Sequence, residues 1–266
     1  MKKHRKINNP NLFNQIKIVL LTIGTTLLVI LTNAQSFAVF TFNLTKVPQY
    51  QADIKISPIS QIPVLPQKAH PLPSTLARSQ HDTNSGDYFA EIKPTKYGYL
   101  IWSQFPVKVY LETPQGNSSN QAQQWVNTVS KTVEEWNSYL PLTIVKNPEV
   151  ADINIVRKSP PLQFTPGSKI PRARSALTSY EIYTKENTLY HRFTILLSPT
   201  QTGKYLLAAA RHELGHALGI WGHSKDQGDA LYFSQVSDPP MVSSRDVNTL
   251  KKIYQQPTSL GWENNN

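Results

Sequence analysis

The 266-residue chain contains no cysteine. That absence excludes a disulfide-stapled scaffold, a cysteine nucleophile, an iron–sulfur centre and a thiolate zinc finger. It also excludes a lipid anchor carried on cysteine. Charge is sparse: Asp, Glu, Lys and Arg make up 17% of the residues, below the level of about 25% usual in globular domains. Glycine is scarce beside proline, 11 residues against 20, which biases the chain towards extended segments. Yet 10% aromatics with five tryptophans can build a core, and that excludes a wholly disordered chain. The composition fits one compact domain carrying extended extra sequence.

The formal net charge is +10, which raises the question of a nucleic-acid partner. Its distribution argues against one. Lys2, Lys3, Arg5, Lys6 and Lys17 precede every acidic residue, and setting those five of 27 aside leaves 22 basic against 17 acidic residues. The remainder are scattered and form no arginine-rich stripe interleaved with aromatics.

The five basic residues lead into Ile18–Leu31, an uncharged apolar run. A positive region followed by an apolar region of this length is the pattern of an export signal. Small residues follow, and Ala34 and Ala38 mark two candidate cleavage sites. Left uncut, the apolar stretch reaches Phe40 and is long enough for a signal anchor. Either way the positive charges stay inside and the rest of the chain is exported, to the periplasm, the exterior or the outer face of the membrane. Residues 1–38 are therefore read as signal peptide or anchor, the only expected contact with a membrane.

Prolines at 48, 58, 63, 66, 71 and 73 disfavour helix and ladder alike. Residues 39–96 are read as an extended, polyproline-like linker or a pro-segment. Order is expected from Tyr97, in a folded domain over 97–257, with a tail over 258–266. Val107, Val109 and Leu111 alternate as in a half-buried strand. Ala122, Val126, Val129, Val133, Trp136 and Leu140 recur every three or four residues and predict an amphipathic helix, capped near Ser118–Asn120 and stopped by Pro141. Short strands are expected at Leu142–Val145 and Ile153–Val156, and a strand pair at Ser175–Tyr183 and Leu189–Leu197, joined through Lys185-Glu186-Asn187. A helix over about Gly203–Leu218 ends at Gly219. A last helix opens at Ser243 with Asp246 in a capping box. This order predicts an α+β (α/β-like) domain with helices on a sheet.

The chemistry concentrates in HELGHALGIWGHS, where three of the seven histidines fall within 12 residues. His212 and His216 stand one helical turn apart on one face, so both can reach one Zn²⁺. Glu213 lies beside them, placed to act on water. Gly219 can turn the chain back and return His223 as a third ligand. Three protein ligands with one open position mark a catalytic zinc over a structural one. Asp226, Asp229 and water alone compete with His223 for the third place.

On these residues the chain resembles the metzincin zinc peptidases, and among them matrixin-like peptidases of bacteria, including the cyanobacterial type. The likeness spans about Tyr99–Tyr254: the HExxHxxGxxH pattern, Asp229-Ala230-Leu231-Tyr232 where the family has its methionine turn, and Ser244–Leu250 at the opening of the last helix. It departs in three ways. Gly222 fills the usual slot of the third histidine and His223 comes one later, Leu231 replaces the turn methionine, and neither the cysteine-bearing pro-segment nor a second zinc site has a counterpart. The resemblance implies a mixed, mostly parallel twisted sheet with an antiparallel edge strand, an active-site helix and a C-terminal helix. It further implies that Ser175–Tyr183 pairs with an extended peptide and that Leu231–Ser243 walls the specificity pocket.

The expected function is thus an exported zinc metalloendopeptidase, working as a monomer on peptide or protein substrates. His212, His216 and His223 hold one catalytic Zn²⁺ and Glu213 is the general base. The sequence does not specify whether calcium is required. The competing reading is a non-catalytic, envelope-anchored binding module on the same fold. No GxSxG motif frames a serine nucleophile. His191 reads as a strand or rim residue, Trp221 as packing, and Tyr232 as either packing or an oxyanion contact.

Overall fold

The computed structural model describes residues 65–114, 119–164 and 170–263, all within one compact unit spanning Asp53–Asn266. The export segment, its two cleavage sites and the linker up to residue 64 lie outside the described residues. Among the described residues, no helix is long and apolar enough to cross a membrane.

A five-stranded sheet organises the described residues. Its strands are β2 (Val107–Leu111), β3 (Leu142–Val145), β4 (Ile153–Arg157), β5 (Ala176–Lys185) and β6 (Thr188–Leu197), in the order β3-β2-β4-β6-β5. Every pairing is parallel except β5 with β6. The architecture is therefore mixed α+β, with a mostly parallel sheet and an antiparallel edge strand. Alternation explains the strands: Val107, Val109 and Leu111 of β2 are buried while Lys108 is exposed. Register carries the apolar row across the sheet, since Val109 faces Ile153, Ile153 faces Phe193, and Phe193 faces Tyr180. The β5–β6 hairpin closes in two residues, Glu186 and Asn187, both at positive φ. Two successive left-handed residues make the turn whose twist matches the strands, one residue shorter than the sequence suggests.

The predicted amphipathic helix is α2 (Ser119–Asn137). Ala122, Val129, Val133 and Trp136 are buried, and Val126 packs at the margin. Leu140 is buried too, but beyond the helix end, where the Asn137 side chain accepts from the Leu142 N–H. The motif-bearing helix is α3 (Gly203–Ala217), and its Leu206, Ala210, Leu214 and Ala217 face the core. The Trp136 indole donates to the Arg211 carbonyl at 3.0 Å and locks α2 against α3. Helix α4 (Ser244–Tyr254) opens with the expected reciprocal Ser243–Asp246 capping box and buries Val247, Leu250 and Tyr254.

Two boundaries move. Ordered packing begins well before Tyr97, because Leu76, Tyr88 and Ile92 are core residues. Leu76 sits on a short helix, α1 (Ser74–Arg78). Strand β1 (Lys68–Ala69) pairs antiparallel with β7 (Pro257–Thr258), so part of the proline tract holds a ladder after all. Two residues suffice between prolines 66 and 71, and β7 accepts them at its open edge. An ion pair of 2.6 Å joins Asp87 to Lys252 on α4. Nor are residues 258–263 a loose tail: Thr258, Ser259 and Leu260 are buried, and Trp262 stacks on His70. The sequence conceals this because the apolar residues of 65–96 are few and aperiodic, and several partners lie far off in sequence, as Asp246 and Thr249 do from Tyr88.

This packing has a measurable consequence. Leu76→Ala should cost about 2–5 kcal/mol, as loss of a fully buried leucine does. Denaturant unfolding of the full chain checks it, and a change under about 0.5 kcal/mol would mean the segment merely lies on the surface.

His191 is also deeper than expected. It is a core residue of β6, stacked on Trp102 with ring centroids 4.1 Å apart. Burial pushes its pKa down to about 3, so it stays neutral. It takes no part in the histidine cluster.

Candidate metal centre

His212 and His216 project from one face of α3 because four residues make just over one turn. Their outward nitrogens stand 3.1 Å apart. Helix α3 then stops at Leu218, and Gly219 takes φ of 125°, which favours glycine. A Cβ there would also press on the Leu100 carbonyl oxygen at 2.9 Å. The chain turns back over Ile220-Trp221-Gly222 and brings His223 alongside. Its ring centroid lies 5.2 Å from that of His212 and 4.8 Å from that of His216. One nitrogen from each ring falls within 4.8 Å of the others, so the three could hold a metal ion.

Gly222, in the slot where the resembled family has its histidine, lies against the backbone of Glu91. Any Cβ at 222 would overlap the Glu91 carbonyl. The N-terminal segment thus occupies the space a side chain at 222 would need, and the ligand candidate comes one residue later.

Hydrogen bonding fixes the two helix-borne rings. His212 Nδ1 lies 2.9 Å from the Ala230 carbonyl oxygen, and His216 Nδ1 lies 2.7 Å from that of Ile220. A carbonyl only accepts, so each Nδ1 carries the proton and each Nε2 presents a lone pair. Two lone pairs facing across 3.1 Å repel unless a cation lies between them. Metal ligands at about 2.0–2.1 Å in tetrahedral array stand about 3.3 Å apart, close to this spacing. Burial holds the His216 pKa well below its ordinary value, with the nearby His212 adding to the effect. Partial burial, then His212, brings His223 to about 4. Both rings are accordingly neutral near pH 7, as ligation requires.

Glu213 lines the same cleft as the histidines and reaches strand β5. Its Oε2 accepts from the Thr178 hydroxyl at 2.6 Å. Burial raises its pKa, while His212 and the bonds from Thr178 pull the other way. Asp226 and Asp229 are engaged elsewhere. Asp229 is buried and accepts from Ser224, Ser243 and Arg245, and Asp226 accepts from the Gly228 N–H at 2.9 Å.

Leu231 forms the floor under the helix. A Cβ on Gly215 would come within 2.6 Å of its side chain and 3.0 Å of Trp136, so the small residue at 215 lets Leu231 lie close against α3. The turn carrying it is held by Asp246, which accepts from the Ala230 N–H at 2.8 Å, the Ser243 N–H at 2.8 Å and the Tyr88 hydroxyl. Asp246 and the His212 ring are therefore both bonded to Ala230, one at its N–H and the other at its carbonyl. The sequence reveals Asp246 only as a helix cap, because its bond to the 230–231 turn depends on a loop whose path the sequence does not specify. Arg211 is missed likewise. It is buried, forms a two-pronged ion pair with Glu135 at 2.6 and 3.0 Å, and donates to the Pro240 carbonyl.

The three histidines and Glu213 line an open cleft of about 1000 Å³. Ala176, Leu177 and Thr178 of β5 line it as well, as do Tyr232, Val236 and Pro239. Trp221 packs edge-on against Tyr180 at 5.0 Å and also reaches the cleft.

The site is thus a three-histidine group able to hold a metal ion, with a half-buried carboxylate at its side. Neither a comparison with models of known protein families nor one with curated proteins finds a match.

Proposed function

We propose that the protein is an exported zinc-dependent endopeptidase of metzincin type, similar to matrixin-like peptidases. The observation that carries this reading is the histidine trio beside a half-buried carboxylate in an open cleft. Neutral imidazoles suit zinc, and three protein donors leave a coordination position free for chemistry. Zinc bound there supplies a Lewis acid that polarises a carbonyl and lowers the pKa of water to about 7.

The protein's own residues do the rest. Glu213 accepts the proton of the attacking water as its oxygen bonds to the scissile carbonyl carbon. It then delivers that proton to the leaving nitrogen as the carbon–nitrogen bond breaks. Burial, by raising the proton affinity of Glu213, suits a base that must also serve as an acid. Strand β5 is the sheet edge among the described residues, and an edge strand can pair with an extended peptide. Tyr232, Val236 and Pro239, which also line the cleft, would wall the specificity pocket. The basic, then apolar, N-terminus supports export as a signal peptide or anchor, and the protein acts as a monomer.

The test is direct. Full-length protein loaded with one zinc per chain should cleave casein or gelatin, lose that activity on chelation and regain it with zinc. A protein that binds one zinc firmly yet leaves both substrates intact is a binding module instead.

A further inference from the structure

We infer that Thr178 is a positioning residue for Glu213: its hydroxyl takes up one carboxylate oxygen and leaves the other turned to the water that Glu213 deprotonates. This rests on the peptidase reading above. Thr178 lies on β5, opposite buried Ile195 of β6. Alternation along the strand puts Thr178 and Tyr180 on one face and exposed Ser179 on the other. That face meets the histidine-bearing segment, Tyr180 against Trp221 and Thr178 against Glu213.

The hydroxyl has two acceptors in reach, Glu213 Oε2 at 2.6 Å and the Glu213 backbone oxygen at 3.1 Å. It carries one proton. The shorter contact falls in the range of charge-assisted O–H···O⁻ bonds, so the proton goes chiefly to the carboxylate. Thr178 is buried, 7% exposed, so water does not readily replace it. A glutamate side chain has three torsions to fix, and the last of them is soft. Anchoring one oxygen to a rigid strand sets that torsion and hence the direction of the other oxygen. Because β5 is also the strand proposed to pair with substrate, the same element orients the peptide and the base.

A purely structural role would tie α3 to the sheet and nothing more. The two roles separate in zinc-loaded full-length protein carrying Thr178→Val, Thr178→Ser or Glu213→Gln. Positioning predicts that Thr178→Val keeps zinc stoichiometry and KM within about twofold and lowers kcat about 10–100-fold, in line with other supporting partners of a metal site. Thr178→Ser restores most of the loss. In the Glu213→Gln background, Thr178→Val adds little. Crystal structures of the zinc-loaded forms should show one Glu213 orientation in wild type and in Thr178→Ser, and several in Thr178→Val.

Wild-type kcat in Thr178→Val would overturn the inference, as would full additivity with Glu213→Gln or an unchanged Glu213 orientation. If Thr178→Val melts far below wild type, the serine variant and its crystal structure decide. If wild type itself proves inactive on peptides, the peptidase reading falls. The orientation of Glu213 in the crystals then decides for or against Thr178 alone.

Discussion

Glu213→Gln should lower kcat about 10²–10⁴-fold, the usual span for removing a general acid–base group, while leaving zinc content, KM and melting temperature near wild type. The amide is isosteric with the carboxylate, and its oxygen can still accept from Thr178. What it cannot do is carry a proton from water to the leaving amine. The rings of His212 and His216 are oriented by the Ala230 and Ile220 carbonyls, not by Glu213. Metal affinity should therefore survive. Burial of a charged carboxylate is also unfavourable, as its raised pKa records, so a neutral replacement costs little stability. Steady-state kinetics with metal analysis on the same preparation checks all three. Near-normal turnover would remove Glu213 from the mechanism, and loss of zinc would make it a structural partner of the site.

The histidine cluster is legible in the sequence because it is local. His212, Glu213 and His216 lie within one helical turn, and Gly219 announces the break that returns His223. The strands and α2 were legible through period two and period three to four. What escaped depends on contacts distant in sequence. Thr178 meets Glu213 across 35 positions, Arg211 meets Glu135 across 76, and Tyr88 meets Asp246 across 158. None of these pairs leaves a periodic trace. The segment before Tyr97 reads as a spacer for the same reason. Its few apolar residues make no stripe of their own, yet Tyr88 and Ile92 complete a core whose other members lie elsewhere. It also borders the candidate metal site: the Glu91 carbonyl fills the space beside Gly222, the Lys93 N–H donates to the Trp221 carbonyl at 3.2 Å, and the Glu91 side chain pairs with Lys225. The one-residue departure at His223 thus has a physical correlate, a neighbouring strand of chain that admits only glycine at 222.

That correlate frames the second large effect. His223→Ala should weaken zinc binding by at least about 10²-fold, since even partners of ligands are worth 10–100-fold and a ligand should be worth no less. Asp226→Ala and Asp229→Ala should retain zinc. Asp226 bonds within its own loop. Asp229 faces Ser224, Ser243 and Arg245, and its oxygens are consumed there. Removing Asp229 leaves the Arg245 guanidinium and two hydroxyls without their acceptor, at a cost of about 1–3 kcal/mol. Its variant should melt earlier while still binding metal, so zinc must be measured where that variant remains folded. His223→Ala should show the reverse: little change in the metal-free melting temperature, because the ring is exposed, and loss of the stabilisation that added zinc confers on wild type. Competition with a chelator of known affinity, together with melting in the presence and absence of zinc, separates the two patterns. Undiminished zinc affinity in His223→Ala, with loss in either aspartate variant, would transfer the third ligand to that aspartate. The turn after Gly219 would then have to open far enough to release Asp229 from Arg245.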